Sequence, residues 1–299
     1  MNNNQSSPYI TRFVDLPLSR LHIMEAGEGE PLIIVPATIS ELENWCELIQ
    51  FMSQWFHVYF FELPGHGQSS PFEEKFSSQK VAELVEQLAN ELGIERFNLM
   101  GFSFGGILAM QTFKRLSNRV ERLIMIAPCL DHRAIPYSQI RLSLLYNLNR
   151  FLSHPKMQKH FNDLIHNERT VHWIVKALQN IGHLEDSLRL ERKLPQTART
   201  TLSVLNAQIN EILTTEFDVE PSKYNIPCYF AMSIYDPLLR FNITLDILKR
   251  HFTNVNTVRL AYPFHQPPRP FTIEELNQGF YKTIDTFMRK IPSPVLSSQ

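Results

Sequence analysis

Five short runs of apolar residues punctuate the chain, at 32–35, 58–61, 97–100, 123–127 and 228–232. Each is apolar throughout or nearly so, and each ends at turn residues. A half-exposed strand would alternate instead, so these runs predict parallel strands covered on both faces. Two further runs, 21–25 and 257–261, read as edge strands. Between the central runs the period changes to 3.6 residues. At 81–92 the apolar positions Val81, Leu84, Val85, Leu88 and Leu92 fall on one side of a helix. Strands alternating with helices imply βαβ units, hence an α/β protein whose mostly parallel twisted sheet carries helices on both faces.

The alternation stops between Pro128 and Pro227. That stretch shows helical stripes in place of strands: Ile140, Leu144, Leu148 and Phe151; then Val171, Ile174, Leu178 and Ile181; then Leu202, Leu205, Ile209 and Leu213, with Pro195 as punctuation. It predicts an inserted helical cap. The resulting division is a disordered tail at 1–9, a first core segment at 10–130, the cap at 131–224, a second core segment at 225–291 and a disordered tail at 292–299. Packed over the mouth of a site, such a cap would bring apolar side chains to it.

Composition narrows the class. The chain has 299 residues, 43% hydrophobic and 20% charged, enough for a sizeable core. Lys and Arg number 29 against 30 Asp and Glu, a net charge of −1, so no strong field argues for a nucleic-acid or anionic-membrane partner. The start, MNNNQSSPY, lacks the basic and apolar regions of a signal peptide, and no apolar run approaches the ~18 residues of a membrane helix. The expectation is a soluble, cytoplasmic protein of undefined oligomeric state. Cys46, Cys129 and Cys228 are odd in number and far apart, which fits free thiols and neither a disulfide framework nor a zinc site. Six of the 11 histidines fall in the cap, but His160, His166 and His172 recur every six residues and share no helix face. They read as surface histidines, and no metal is implied.

Glycine changes the picture most. Only 10 are present, and half fall in two windows: Gly65 and Gly67, then Gly101, Gly105 and Gly106. Clustered glycines mark backbone that turns sharply or is closely approached. The second window, Gly101-Phe102-Ser103-Phe104-Gly105-Gly106, follows a predicted strand and opens a predicted helix. This is the setting of a G-x-S-x-G nucleophile elbow, in which the serine hydroxyl rises at the carboxyl end of the sheet beside a helix N-terminus.

With these residues the chain resembles the α/β-hydrolase-fold superfamily, over roughly residues 10–290. Glu62-Leu63-Pro64-Gly65-His66-Gly67-Gln68-Ser69 resembles that family's D-x-x-G-x-G-x-S loop, with Glu62 in place of the usual Asp. Ser233-Ile234-Tyr235-Asp236-Pro237 resembles the strand end that carries the acid, and Tyr262-Pro263-Phe264-His265 the loop that carries the histidine. The order Ser103, Asp236, His265 is the order this fold uses. The resemblance implies Ser103 as nucleophile, His265 as base and then acid, and Asp236 as the group that fixes the imidazole tautomer. Asp131, past another strand end, is the rival acid, and His66 reads as a loop-packing residue.

The family commonly carries His-Gly after the third strand, where this chain has Pro36-Ala37-Thr38. The expected oxyanion donors are the backbone N–H groups of Thr38 and Phe104. Phe264 also stands where a small residue commonly precedes the histidine. The implied activity is hydrolysis of an ester, thioester or amide of a small, fairly apolar acyl compound. Two alternatives share the scaffold: C–C bond hydrolysis or acyl transfer on the same three residues, and a non-catalytic ligand receptor. Serine at 103 argues against dehalogenase and epoxide hydrolase chemistry, which use aspartate there. No phosphate loop or dinucleotide fingerprint is present, so no cofactor is implied. The expected partner is a small-molecule acyl substrate.

Overall fold

A computed structural model describes residues 8–165, 167, 169–173, 176, 199–217 and 223–289. Its strands are β1 (Ile10–Asp15), β2 (Arg20–Ala26), β3 (Glu30–Val35), β4 (Phe56–Phe61), β5 (Phe97–Phe102), β6 (Val120–Ile126), β7 (Tyr224–Ser233) and β8 (Phe252–Leu260). They form one sheet in the order β1-β2-β4-β3-β5-β6-β7-β8. The pairs β1–β2 and β2–β4 are antiparallel and all others parallel.

The apolar runs are buried on both sides. Ile33, Val35, Leu99, Met125 and Phe230 face one core, shared with α2 (Ser78–Glu91), α3 (Gly105–Arg115) and α7 (Phe241–His251). Their neighbours Leu32, Ile34, Met100, Ile124 and Tyr229 face the other, shared with α1 (Cys46–Met52), α8 (Ile273–Leu276) and α9 (Lys282–Arg289). Helix α2 starts at the N-cap Ser77, whose side chain accepts from Lys80 N–H, and buries Val81, Leu84, Val85 and Leu88.

The run at 21–25 is not an edge: β1 pairs outside it. Only Val14 of β1 is buried, so that strand carried no apolar signal. The run at 257–261 does belong to an edge strand, β8, which begins five residues earlier.

Helices α4 (Gln139–Leu152), α5 (Pro155–Ile165) and α6 (Arg199–Thr214) lie between β6 and β7. Helix α6 is tied to the core at two points: Thr201 Oγ1 donates to Gly65 O at 2.8 Å, and Ser78 N–H donates to Glu211 Oε1 at 2.8 Å. Helix α4 meets α6 with Asn149 Nδ2 donating to Asn206 O, and its buried positions are Leu142 and Asn149. The stripe of Ile140, Leu144, Leu148 and Phe151 is therefore exposed, on the opposite side of α4. Periodicity identified the helix but not which side would pack. Of the stripe at 171–181, Ile174, Leu178 and Ile181 lie outside the described residues.

The sheet order places the loops. Chain order reverses at β3, which lies between β4 and β5, and Val35 pairs with Gly101. The loops leaving β3 and β5 therefore emerge side by side at a topological switch point, where open α/β sheets bind ligands. Ile126 pairs with Ala231 and Ser233 with Leu260, so the loops after β7 and β8 follow along the same edge.

The elbow glycines fit this packing. A Cβ on Gly101 would lie 2.3 Å from Gly105 O, one on Gly105 2.7 Å from Val35 O, and one on Gly106 2.6 Å from Pro128 Cβ. Gly93, by contrast, has a φ of +67° and open space around it. Because the atom a Gly101 Cβ would strike is backbone, Gly101→Ala is expected to cost ~3 kcal/mol or more through overpacking, whereas Gly93→Ala carries only ~1–2 kcal/mol of backbone strain. Urea unfolding midpoints check this; equal losses would contradict it.

Candidate active site

Ser103 stands at the sharp turn between β5 and α3 with a φ of +52°, a region that L-residues avoid. Its backbone is held from several sides. Ser103 N–H donates to Ile126 O at 3.2 Å, and Ser103 O accepts from Gly106 N–H and Cys129 N–H, both at 2.8 Å. Those bonds and the glycine contacts over-determine the turn, as a strained residue requires.

His265 follows β8 and lies 2.8 Å through Nε2 from Ser103 Oγ. Its Nδ1 lies 2.7 Å from Asp236 Oδ2. Both side chains are shielded, His265 at 8% exposure and Asp236 at 1%. The other Asp236 oxygen, Oδ1, accepts from Leu238 N–H at 2.8 Å and Leu239 N–H at 2.9 Å. A buried carboxylate needs such donors, and here they also orient it. Two side chains whose part was unforeseen from sequence hold this end of the site. Ser233 Oγ donates to Tyr262 O and accepts from Tyr235 N–H, fastening the acid loop to the histidine loop, and Phe102 stacks on the His265 ring at 5.9 Å.

Asp131 does not join this row. It is fully buried, and its carboxylate takes the backbone N–H and Nε of Arg133, each at 2.8 Å, and a second guanidinium nitrogen. Phe264 packs with Tyr262 and Phe271 in an aromatic cluster, with ring centroids 5.1 and 6.3 Å away. Cys129 is buried beneath the elbow, and burial pushes its thiol up to about 12, which leaves it inert.

Thr38 is half-buried on the loop after β3, and Phe104 is fully buried as the N-cap residue of α3. Among the described residues no acceptor takes the N–H of either. Gly105 packs against the carbonyls of Val35 and Pro36, so the start of α3 touches the backbone that leads into Thr38.

His66 is buried next to this loop. Burial pushes its pKa down to about 4, against weaker upward pulls from the Glu41 carboxylate and the Thr38 and Pro64 backbones. The folded ring is therefore neutral at pH values where the unfolded one, at 6.5, is gaining a proton. Stability should fall as pH drops from about 6.5 to about 4, by up to ~1.4 kcal/mol per pH unit from this group. Urea midpoints across that range should fall more steeply for the native chain than for His66→Asn; parallel curves would contradict it.

The comparisons with known proteins agree with this architecture. A family profile described as alpha/beta hydrolase fold matches residues 30–173. A stretch of 105 residues is 28% identical to (E)-2-((N-methylformamido)methylene)succinate hydrolase of Acinetobacter baylyi, covering 35% of this chain and 40% of that one. Another, of 119 residues, is 27% identical to the pimeloyl-[acyl-carrier protein] methyl ester esterase of Nitrosomonas europaea, covering 39% and 45%. The matched stretches thus span less than half the length of these curated relatives. Among solved structures, Bacillus megaterium epoxide hydrolase superposes with a TM-score of 0.65 over 93% of this chain and 100% of its own, at 18% identity, a likeness of fold alone.

Proposed function

Because the chain belongs to the α/β-hydrolase-fold superfamily and carries a serine at its elbow, we propose that it is a serine hydrolase of the carboxylesterase kind. Its substrate on this reading is an ester, thioester or amide of a small, fairly apolar acyl compound. The observation that carries the reading is the unbroken row from Ser103 Oγ through the His265 ring to Asp236.

In that row Asp236 accepts from His265 Nδ1–H, which leaves Nε2 as the acceptor for the serine proton. Ser103 Oγ attacks the substrate carbonyl carbon while its proton passes to His265 Nε2. The oxyanion that forms takes hydrogen bonds from Thr38 N–H and Phe104 N–H. When the tetrahedral intermediate collapses, His265 protonates the leaving alkoxide, thiolate or amine, and the acyl group stays on Ser103. A water then gives its proton to the same Nε2, attacks the acyl carbon, and frees the acid and the serine. Burial of Asp236 strengthens its hold on the imidazolium through the low local dielectric.

Apolar groups near the site support the substrate class. The loops bearing Thr38 and Asp236 expose Ile39, Ile234, Tyr235 and Leu238, and three are about half exposed. Hydrophobic side chains left in water at the carboxyl edge of a sheet suit an apolar acyl group.

A panel of p-nitrophenyl esters of rising acyl length tests the reading. Short acyl chains should be hydrolysed, and turnover should cease once Ser103 is fully phosphonylated. Turnover that persists after full phosphonylation would place the chemistry elsewhere. Both donors are backbone groups, so the Pro36-Ala37 departure matters only if it moves the loop. A trapped acyl or phosphonyl adduct should accept from Thr38 and Phe104 at ~2.7–3.1 Å. An adduct in which Thr38 N–H points away would contradict the oxyanion assignment.

A further inference from the structure

The loop that carries Thr38 contains no regular structure between β3 and the short 3-10 turn Leu42–Asn44. A backbone donor on such a loop is useful to catalysis only if something outside the loop holds it in place. Three attachments do so. Trp45 Nε1 donates to Ile39 O at 3.2 Å, and the fully buried Ser40 accepts through Oγ from Leu63 N–H at 2.9 Å. The third is Glu62, the residue at which this chain departs from the aspartate of the family it resembles.

Glu62 is 2% exposed, at the end of β4. Its Oε1 accepts from Leu42 N–H at 3.2 Å. Its Oε2 accepts from Gln68 N–H at 2.6 Å and lies 3.2 Å from His22 Nδ1. One carboxylate therefore joins the end of the Thr38 loop, the turn after β4 and strand β2. His22 is itself fixed, since its N–H donates to Ser69 Oγ at 2.9 Å and its carbonyl accepts from Glu62 N–H at 3.0 Å. Gly67 is shaped around the same group: its φ is +49°, and a Cβ there would lie 2.2 Å from the Glu62 carboxyl atoms. Only glycine lets the turn close over this side chain.

We propose that Glu62 is a positioning residue that holds the Thr38 N–H in place by tying the 36–42 loop to the turn after β4. The inference rests on the oxyanion role proposed for Thr38. Glu62 touches no reacting atom in this account; it acts through the loop. Glu62→Gln leaves one acceptor oxygen where the carboxylate offers two, so its NH₂ faces the N–H of either Leu42 or Gln68; one of the two ties is lost, and the loop relieves this by shifting outward. The shift weakens stabilisation of the charged intermediate more than it weakens substrate binding, so kcat falls while KM changes little.

Two readouts on the full chain test this, with Glu62→Gln as the main variant. Backbone amide exchange in peptides spanning 36–45 should quicken by about 10-fold or more, with β3 and β5 unchanged. Turnover of p-nitrophenyl acetate per phosphonate-titrated site should fall about 10-fold or more with KM within about twofold. Glu62→Asp, which keeps the charge one methylene shorter, should fall between. Should Glu62→Gln not fold, Ser40→Ala removes the neighbouring attachment and should shift both readouts the same way. Unchanged exchange at 36–45 overturns the proposal, and so does faster exchange with unchanged turnover per titrated site. An unreactive Ser103 in the native chain counts against the hydrolase reading instead, and the exchange measurement then decides alone whether Glu62 holds the loop.

Discussion

Ser103→Ala should lower ester turnover by about 10⁴–10⁶-fold while leaving the fold in place. The size follows from what the hydroxyl does in the proposed sequence: it forms the bond to the acyl carbon, and no neighbouring side chain can replace it. The fold should survive because the elbow is held by its backbone. Ser103 N–H and O keep their bonds to Ile126, Gly106 and Cys129 in the alanine variant. Alanine meets the same cost at a φ of +52° as serine does, and among the described residues the only side-chain bond removed is the one to His265 Nε2. The check is turnover of a p-nitrophenyl ester beside a thermal melt. Activity within tenfold of the native chain, at an unchanged melting temperature, would move the nucleophile elsewhere.

The second large effect concerns the acid. Asp236→Asn should lower turnover by ~10³–10⁴-fold. An amide can present its NH₂ to His265 Nδ1, which reverses the tautomer and leaves Nε2 carrying a proton when it should accept one. Asparagine keeps an oxygen for the Leu238 and Leu239 N–H groups, so the loop should stay in place. Asp131→Asn is the contrasting variant. Its carboxylate serves Arg133, so the loss should fall on stability, with turnover per folded molecule nearly unchanged. Steady-state rates normalised to folded protein check both, and the reverse pattern would transfer the role to Asp131.

How far the chain could be read beforehand depended on where its signals lie. The five central strands were legible because burial on both faces forces unbroken apolar runs, as at Leu32, Ile33, Ile34 and Val35. Strand β1 was not, because an outer strand with one buried residue reads like any mixed segment. The elbow stood out because glycine is scarce and each of its glycines meets backbone or side chain where a Cβ would sit. Asp236 and His265 were legible as residues at strand ends, and chain order favoured Asp236 over the rival Asp131; that Asp131 turns to Arg133 is a property of the fold that no local pattern shows. In α4 the apolar stripe predicted the helix and gave no sign that Leu142 and Asn149 would be the positions that pack. The departure at Glu62 was visible in the motif, and so was Gln68, yet its partners Leu42 and His22 come from two other segments. No local pattern encodes such a meeting.

The measurement that bears most directly on the account is covalent labelling with a fluorophosphonate followed by peptide mapping. A serine whose Oγ lies 2.8 Å from His265 Nε2 should attack phosphorus and retain the adduct. One phosphonyl group per chain is expected, on the peptide containing Ser103, with labelling lost in His265→Gln as well as in Ser103→Ala. Labelling at a different serine, or a native chain that stays unmodified while remaining folded, would contradict it.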